Sequence, residues 1–418
     1  MKKILQILLA IVPILSFSQS SESSWVNHAI RVASEQMLQR SRSIPDLTKT
    51  PRSVISAPSI DFLTTQLDYR PSNKVESNIL KKKNSVGSII YSHFSDWTCG
   101  FYPGTLWYIY DITSSSDIKN EAIRFTDVMY PLRNTTHTHD IGFMVNCSFG
   151  NYLRLSPKDS VRAVIIEASN NLIGRFNDKI GCIRSWNHGS WNYPVIIDNM
   201  MNLDLLFLAS NLTGDSRYKD IAIKHANTTM KNHFRADNSS YHVVDYNLDG
   251  SVKEKRTHQG KSDESAWSRG QAWGLYGYVS CYRETKDKSY LNQALKIYNL
   301  TRKRVQTKDN IPYWDFDALS GKSTPRDASA AAITASACLV LSTLVDNGSE
   351  YLAYAESILQ SLSSPAYLAK VGENNGFILK HSTGSLPHGS EVDVPINYAD
   401  YYYMEALSHY INIKGLTF

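Results

Sequence analysis

Two aspartates, Asp140 and Asp198, stand at the starts of apolar, helix-like stretches of the sequence. A helix start lowers the pKa of a carboxyl group, whereas burial and a second carboxylate nearby raise the pKa of one member of a pair. Such a pair can supply general acid and base catalysis. For each aspartate alone, the alternative is that the side chain only caps its helix. We predict that Asp140 and Asp198 form a catalytic pair.

Other polar and aromatic residues that could contact a ligand lie at the starts of apolar helices or in polar loops. They are Trp97, His139, His242, Gln259, Arg269 and Trp273. Arg269 has an alternative structural role, an ion pair with Asp263 or Glu264. His242 could equally lie on the surface, and Trp273 could fill the core. The sequence contains no phosphate-binding glycine loop, no nucleophilic serine elbow and no metal-ligand triad.

Helical periodicity of apolar residues predicts an all-α protein with about twelve helices. They lie near 23–42, 101–112, 117–131, 140–154, 159–176, 197–212, 216–233, 268–285, 288–306, 327–344, 349–363 and 396–413. Amphipathic helices alternate with helices that are apolar on nearly every side, and a helix of the second kind must be buried all round. The alternation predicts two concentric layers.

Six such pairs that close on themselves make an (α/α)6 barrel of six inner and six outer helices, which is the fold we predict. An open solenoid of helical hairpins is the competing architecture. In a barrel with parallel inner helices, all the inner starts lie at one end. Motifs that are far apart in the sequence, such as those around Asp140 and Asp198, then meet at a single mouth.

Residues 1–18 are typical of a secretory signal peptide, with a positive start, a short apolar run and small residues before a cut after Ser18. We expect residues 19–418 to form a single barrel domain that is exported, either to the periplasm or out of the cell. No later stretch reaches eighteen unbroken apolar residues, so the sequence predicts no membrane span.

The segment around 43–96 interrupts the helical rhythm with four prolines and the run Lys81-Lys82-Lys83. We expect an irregular, loop-rich region that wraps the barrel. The lysine run is predicted to be a solvated turn, with a contact to an anionic glycan as the alternative.

Charge and cysteine usage exclude several classes of function. The formal charge of +5 falls to +3 without Lys2 and Lys3 and is not clustered, so nucleic-acid binding is not predicted. The five cysteines are far apart and show no metal-binding spacing, so we predict buried thiols and leave one disulfide open.

The 25 tyrosines and 8 tryptophans fit either core packing or a carbohydrate site, because flat amphipathic rings can cover the faces of sugars.

The motifs together resemble the unsaturated glucuronyl hydrolase family, which are glycoside hydrolases with an (α/α)6 barrel. The resemblance covers most of the chain and rests on the segments Trp97–Phe101 with Gly104–Trp107, His139–Phe143, Ile197–Asn202, Thr257–Gly260, Ser265–Trp273 and Tyr398–Leu407. It implies that Asp198 is the general acid and base and that Asp140 is the second essential aspartate. It also implies that the pocket for the unsaturated uronate is lined by His139, His242, Gln259, Arg269 and Trp273. Trp97 would form an aromatic wall of this pocket.

The implied reaction releases a terminal 4,5-unsaturated glucuronic acid from oligosaccharides that polysaccharide lyases produce. Asp198 would protonate C4 of the vinyl ether and then help water to attack C5. Asp140 would stabilise the cationic stage. The hemiketal that forms at C5 collapses, the ring opens and the glycosidic bond is lost. This chemistry requires no metal or cofactor.

One departure from the family pattern affects the neighbouring sugar. Some relatives that act on sulfated chondroitin fragments carry Ser-x-x-Ser-x-Lys near the C-terminus, where this chain has Ser382, Ser385 and then Pro387. We expect Ser382 and Ser385 to contact the substrate, but a preference for a sulfated amino sugar is not predicted. Fragments of ulvan, heparin, chondroitin and plant polysaccharides all stay open as substrates.

Three other functions compete with this hydrolase. The first is an unsaturated rhamnogalacturonyl hydrolase, which uses similar aspartates. The second is an exported helical-repeat protein that binds glycans without catalysis. The third is a polysaccharide lyase on a similar barrel, which would create the unsaturated bond rather than remove it.

Overall fold

The computed structural model describes the backbone of residues 12–418 and the side chains from residue 24 onward. Residues 1–11 of the predicted signal peptide lie outside the described residues, and residues 12–18 are described only as backbone of the first helix. The α-helices are α1 (Val12–Arg42), α2 (Ile60–Leu67), α3 (Asn73–Lys82), α4 (Phe101–Thr113), α5 (Ser116–Asp127), α6 (Ile141–Val145), α7 (Asn151–Leu155), α8 (Asp159–Ile173), α9 (Asn199–Thr213), α10 (Ser216–Asn232), α11 (Ser268–Thr285), α12 (Lys288–Arg304), α13 (Ala328–Ser342), α14 (Gly348–Leu362) and α15 (Asn397–Lys414).

Six inner helical segments form a closed ring. They are α4, α6 with α7, α9, α11, α13 and α15, and each packs against the next. The last of them, α15, packs against α4, which closes the ring and excludes an open solenoid. The prediction of an (α/α)6 barrel is therefore confirmed.

The two layers differ in burial as the sequence pattern predicts. Every residue from Ala328 to Leu339 of the inner helix α13 is buried, because the helix has neighbours on all sides. The outer helices α10 and α12 bury one face only. Their first turns are capped by Asp215 and Asp287, whose carboxylates accept backbone N–H groups.

The predicted helix 140–154 is interrupted. It consists of α6, a π-helical turn over Asn146–Gly150, and α7. Within the π turn the Ser148 hydroxyl donates to the Met144 carbonyl at 2.6 Å. Such π turns often accompany functional sites, and this one lies directly after the turn that carries Asp140.

The prediction of an irregular region around 43–96 is wrong in its detail. Strands β1 (Lys49–Val54) and β2 (Ile89–His93) pair antiparallel, and α2 and α3 lie between them. The side-chain amide of Asn397 donates to the carbonyls of Pro51 and Thr98 at 3.0 and 3.1 Å, which ties this segment to the start of α15. The segment is therefore an ordered structure at the end of the barrel where the inner helices begin.

Two small sheets that the sequence did not reveal also lie at that end. Strands β3 (Phe176–Asn177) and β4 (Cys182–Ile183) form one pair, and β5 (Pro194–Ile196), β6 (Val243–Tyr246) and β7 (Val252–Arg256) form an antiparallel sheet in the order β5-β6-β7. Strands this short give no readable alternation of apolar and polar residues. The second sheet positions two of the predicted site residues.

All five cysteines are free and buried, as predicted. Along the described chain, no helix combines the length and apolar character that crossing a membrane requires.

The carboxylate of Glu405 joins four inner helices across the barrel axis. From its place on α15 it accepts the hydroxyls of Tyr108 (α4) and Tyr276 (α11) at 2.8 and 3.2 Å, and that of Ser336 (α13) at 2.6 Å. All of these groups are buried, so Glu405 supplies a hydrogen-bond acceptor to each hydroxyl where water is scarce.

Replacing Glu405 with Ala should lower the free energy of unfolding by about 3 kcal/mol, because buried hydroxyls lose their acceptor. Urea denaturation followed by circular dichroism measures this change. Glu373→Ala, on the exposed surface, is the matched control and should unfold as the native protein does. Equal midpoints for Glu405→Ala and the native protein would show that this junction does not stabilise the barrel.

Candidate active site

The β5-β6-β7 sheet brings Asp198 and His242 together. Asp198 lies two residues after the end of β5, and β6 begins directly after His242. The backbone N–H of Ile197 donates to the His242 carbonyl at 3.0 Å, which extends the pairing of the two strands by one residue. Two residues 44 positions apart in the sequence are thus fixed side by side.

Asp198 stands at the N-terminal boundary of α9, but its side chain makes no capping hydrogen bond. The side chain is 9% exposed, and its Oδ2 has no hydrogen-bond partner among the described residues. The capping alternative is therefore wrong for this residue. A buried carboxylate with an unpartnered oxygen is costly to ionise, and that oxygen is available to a ligand.

The pKa of Asp198 is raised to about 6, mainly by burial. Electrostatic interactions with His139 and Arg269 lower the pKa, and the negative charge of Asp140 raises it. A carboxyl group with this pKa carries a proton in about half of the molecules at pH 6 and in about a tenth at pH 7, so Asp198 can act as a general acid and, once ionised, as a base.

His242 is buried, and burial lowers its pKa well below the usual value, so the ring is neutral. Its Nδ1 accepts the backbone N–H groups of His258 and Gln259, both at 3.1 Å. An Nδ1 that accepts carries no proton, so the proton is on Nε2. That atom lies 3.6 Å from Asp198 Oδ2, and it too has no hydrogen-bond partner in the described part of the chain. Each of the two atoms is thus left to form a hydrogen bond with a ligand or a water molecule.

Asp140 precedes α6 and, like Asp198, makes no capping hydrogen bond. Burial raises its pKa, but His139 at 3.2 Å, the Thr138 hydroxyl at 2.7 Å and the charge of Arg175 together hold it below its usual value. Asp140 is therefore ionised when Asp198 is partly protonated. This difference in pKa gives the two carboxyl groups distinct roles.

Asn202 connects the two helices that carry the aspartates. Its Oδ1 accepts the Phe143 N–H at 2.8 Å, and its amide lies 3.4 Å from the Asp198 carbonyl. Gly142 allows this contact, because a Cβ there would lie 2.5 Å from the Asn202 Cα. The start of α6 is thereby held against the start of α9, and the aspartates share one site.

The alternative ion pair considered for Arg269, with Asp263 or Glu264, is wrong, because its partner is Asp327. Its Nη1 donates to Asp327 and to the Thr383 carbonyl, and its Nη2 donates to the Gly384 carbonyl, each at 2.6 Å. Arg269 is almost fully buried, so it anchors the 383–384 backbone and brings positive charge towards Asp198. Direct contact with a uronate stays a prediction for this residue.

The aromatic residues pack around Phe143. The rings of Trp97 and Trp273 lie 5.5 and 5.2 Å from the Phe143 ring, measured between centroids. Trp97 is half-buried, so its free surface can cover a sugar face. Trp273 has no exposed surface and packs as a core residue in this structure.

The remaining predicted residues lie on the loops beside His242. Gln259 donates from its side chain to the Gly384 carbonyl at 3.0 Å. Ser385 shares a hydrogen bond of 2.7 Å with His388 Nδ1. Ser382 is fully buried, and its hydroxyl has no hydrogen-bond partner among the described side chains and backbone.

Residues outside the predicted set also border this region. The ring centroids of Trp186 and His258 are 5.7 Å apart, and those of His258 and His388 are 4.6 Å apart. Trp191 lies 6.0 Å from Trp186. The sequence signal was present, since Trp186 to Trp191 place two tryptophans and a histidine in one polar, glycine-containing stretch.

Groups of three or more His, Cys, Asp or Glu side chains that could hold a metal are absent from the described residues. The expectation that the reaction needs no metal or cofactor stays a prediction. A cavity of about 370 Å³ also runs along the axis past Glu405 towards Arg283, but neither catalytic aspartate lines it, so it is not assigned to the reaction.

Comparisons with known proteins show the family to which the chain belongs. The family profile described as Glycosyl Hydrolase Family 88 matches residues 72–414. A protein of Formosa agariphila named unsaturated glucuronyl hydrolase is 47% identical over 76% of this chain and 80% of its own length. An unsaturated chondroitin disaccharide hydrolase of Streptococcus pyogenes is 34% identical over 75% of this chain and 80% of its own length. The crystal structure of an unsaturated glucuronyl hydrolase specific for heparin superposes with a TM-score of 0.84 at 43% identity, covering 94% of this chain and 99% of that one.

Replacing Asp140 with Asn should lower the pKa of Asp198 below its value of about 6, because the negative charge of Asp140 disfavours ionisation of its neighbour. Carbon-13 NMR of labelled aspartate carboxyl groups measures this pKa, with the Asp198 resonance identified by its loss in Asp198→Asn. Asp117→Asn, which changes an exposed aspartate, is the control. An unchanged pKa of Asp198 in Asp140→Asn would mean that the two carboxyl groups do not interact.

Proposed function

Since the chain belongs to Glycosyl Hydrolase Family 88, we propose that Asp140 and Asp198 together release the terminal 4,5-unsaturated glucuronic acid of its oligosaccharide substrates. The chain is an unsaturated glucuronyl hydrolase that acts on unsaturated oligosaccharides. The observation that carries the residue assignment is the buried Oδ2 of Asp198, which lacks a hydrogen-bond partner among the described residues and lies near an ionised Asp140.

The first step is proton transfer from Asp198 to C4 of the sugar. The C4=C5 bond and the ring oxygen form a vinyl ether, so protonation at C4 places positive charge on C5 and the ring oxygen. Asp140 stays ionised and stabilises this charge electrostatically, in a site whose burial strengthens the interaction.

The second step is the addition of water. Asp198, now a carboxylate, accepts a proton from a water molecule whose oxygen attacks C5. His242 presents Nε2–H beside Asp198 and can orient that water. The resulting hemiketal opens to a ketone at C5, which leaves C1 as a hemiacetal that still carries the neighbouring sugar. This hemiacetal then collapses to an aldehyde and releases the neighbouring sugar. One water is consumed, and the proton that Asp198 gave to C4 is replaced from that water.

The family assignment is supported over an unsaturated rhamnogalacturonyl hydrolase and over a glycan-binding protein without catalysis. Among the substrates that the sequence left open, we favour fragments of heparin-type polysaccharides. The support is the resemblance to a heparin-specific relative over 94% of this chain. Fragments of chondroitin, ulvan and plant polysaccharides are the alternatives in the test below.

Export to the periplasm or beyond the cell is part of the proposal and rests on residues 1–18. Polysaccharide lyases that act outside the cytoplasm would supply the unsaturated ends in the same compartment.

The native protein should remove the ultraviolet absorbance of the unsaturated uronate when it is mixed with lyase-made disaccharides. Asp198→Asn should slow this loss by about 10²–10⁴-fold, because the proton donor is missing. A panel of heparin, chondroitin, ulvan and rhamnogalacturonan fragments identifies the substrate class. Asp117→Asn is the control for charge removal elsewhere, and near-ultraviolet circular dichroism verifies that each variant is folded. Native-like turnover by folded Asp198→Asn would refute the assignment of this residue.

A further inference from the structure

Arg52, in strand β1, forms ion pairs with two segments that are far apart in the sequence. Its Nε and Nη2 donate to the two carboxylate oxygens of Glu391 at 2.7 and 3.1 Å, and its Nη1 donates to Asp96 at 2.9 Å. The donors of a guanidinium lie in one rigid plane, so the two carboxylates are held at a fixed distance from each other. Arg52 therefore ties the two segments together, and the proposed reaction does not account for this contact.

The first of these segments is the turn that carries Trp97. Asp96 Oδ1 accepts the backbone N–H and the hydroxyl of Thr98 at 2.9 and 2.6 Å, which fixes the backbone on both sides of Trp97. The other oxygen of Asp96, Oδ2, is the atom that accepts from Arg52. From this turn the Trp97 ring packs against Phe143. The position of the predicted aromatic wall therefore depends on the pair of Arg52 with Asp96.

The second segment, residues 382–394, contains Glu391 and Gly384 in direct contact. The Gly384 N–H donates to the Glu391 carbonyl at 2.7 Å, and a Cβ at position 384 would lie 2.5 Å from Glu391 Oε2. Glu391 has a φ of 55°, in the left-handed region that residues with a Cβ rarely adopt. Such a conformation persists only where the surroundings fix it, and the two hydrogen bonds from Arg52 do so here.

The Gly384 carbonyl connects this segment to the active site. It accepts the side chains of Arg269 and Gln259 at 2.6 and 3.0 Å. Gln259 also donates its backbone N–H to Nδ1 of His242, whose Nε2 lies 3.6 Å from Asp198. A continuous series of bonded groups thus runs from the segment that Arg52 holds to the ring beside the proposed general acid.

We propose that Arg52 is a positioning residue for the sugar pocket, and that it acts by holding the turn at Trp97 and the backbone of Gly384 at their working distance. The inference rests on the proposed function and adds to it a residue outside the aspartate pair. Arg52 also precedes residue 72, where the match to the family profile begins. The pattern that identifies the family therefore does not include it.

The catalytic aspartates are positioned by other contacts. The pairing of β5 with β6 holds Asp198, and Asn202 joins the start of α6 to the start of α9. Loss of Arg52 should leave these contacts in place and release the walls of the pocket. The expected effect is therefore on substrate binding, seen as a higher KM, and not on the proton transfer that kcat reports.

The test measures kcat and KM for a lyase-made unsaturated disaccharide through the loss of its ultraviolet absorbance. In Arg52→Ala, KM should rise about tenfold while kcat stays within about threefold of the native value. Asp96→Asn and Glu391→Gln each remove the charge of one partner at nearly constant shape, and each should raise KM by a smaller factor. Arg52→Lys should give an intermediate KM, because an ammonium group cannot hold both carboxylates as the planar fork does.

A double variant shows whether Arg52 acts through Glu391. Glu391→Gln added to Arg52→Ala should raise KM no further, because the interaction is already lost. It should also raise the urea midpoint above that of Arg52→Ala, since the buried carboxylate that lost its cation is removed. Effects on KM that multiply in the double variant would contradict action through Glu391.

Arg283→Ala is the matched control. Arg283 is also a partly exposed arginine, 36% against 24% for Arg52, and it pairs with the carboxylates of Asp204 and Glu284. It lies in the last turn of α11, at the end of the barrel opposite the site. Its loss should lower the urea midpoint and leave KM at the native value.

A native KM in folded Arg52→Ala would overturn this inference and leave the proposed function intact. Near-ultraviolet circular dichroism verifies the fold. If Arg52→Ala does not fold, the conservative variants decide, and a native KM in both Asp96→Asn and Glu391→Gln would overturn the inference equally. Failure of the native protein to turn over any unsaturated disaccharide would instead contradict the proposed function and, with it, the inference.

Discussion

Burial of the Asp198 carboxyl group, whose Oδ2 has no hydrogen-bond partner among the described residues, is the constraint on which the site depends. Asp198 is held against His242 by the pairing of β5 with β6, and the histidine cannot ionise there because burial disfavours its charge. Arg269, whose charge lowers the pKa of Asp198, is bonded to Asp327 and to backbone carbonyls. Asp198 therefore keeps a proton at a pH where an exposed aspartate would have lost it.

Burial of the Asp198 carboxyl group lowers the stability of the folded protein at a pH where this group ionises. The pKa of Asp198 is raised in the folded protein, so the folded state binds the proton more tightly than the unfolded chain does. The stability that protonated Asp198 contributes is therefore complete below a pH of about 4 and is lost as the pH rises through about 6. Rigid elements offset this cost: Asn202 joins the starts of α6 and α9, and Glu405 joins four inner helices further along the axis.

The sequence predicted the barrel and the pairing of Asp140 with Asp198, because long helices have a clear period and their starts mark one end of the barrel. It did not predict the strands of two to six residues, or the order of the segment around 43–96, since short elements have no readable pattern. The alternative ion pair considered for Arg269 was also wrong. Asp263 and Glu264 are near in sequence, but Asp327 is the residue that the fold brings to it.

The central claim is that Asp198 protonates C4 of a vinyl ether and that water then adds to C5. Turnover of a lyase-made disaccharide in deuterium oxide, followed by NMR of the released sugar, tests this claim most directly. The account predicts one deuterium at C4 and a carbonyl group at C5 of the product. A released sugar that keeps its C4=C5 bond and carries no deuterium at C4 would contradict it, because the glycosidic bond would then have been broken at the anomeric carbon.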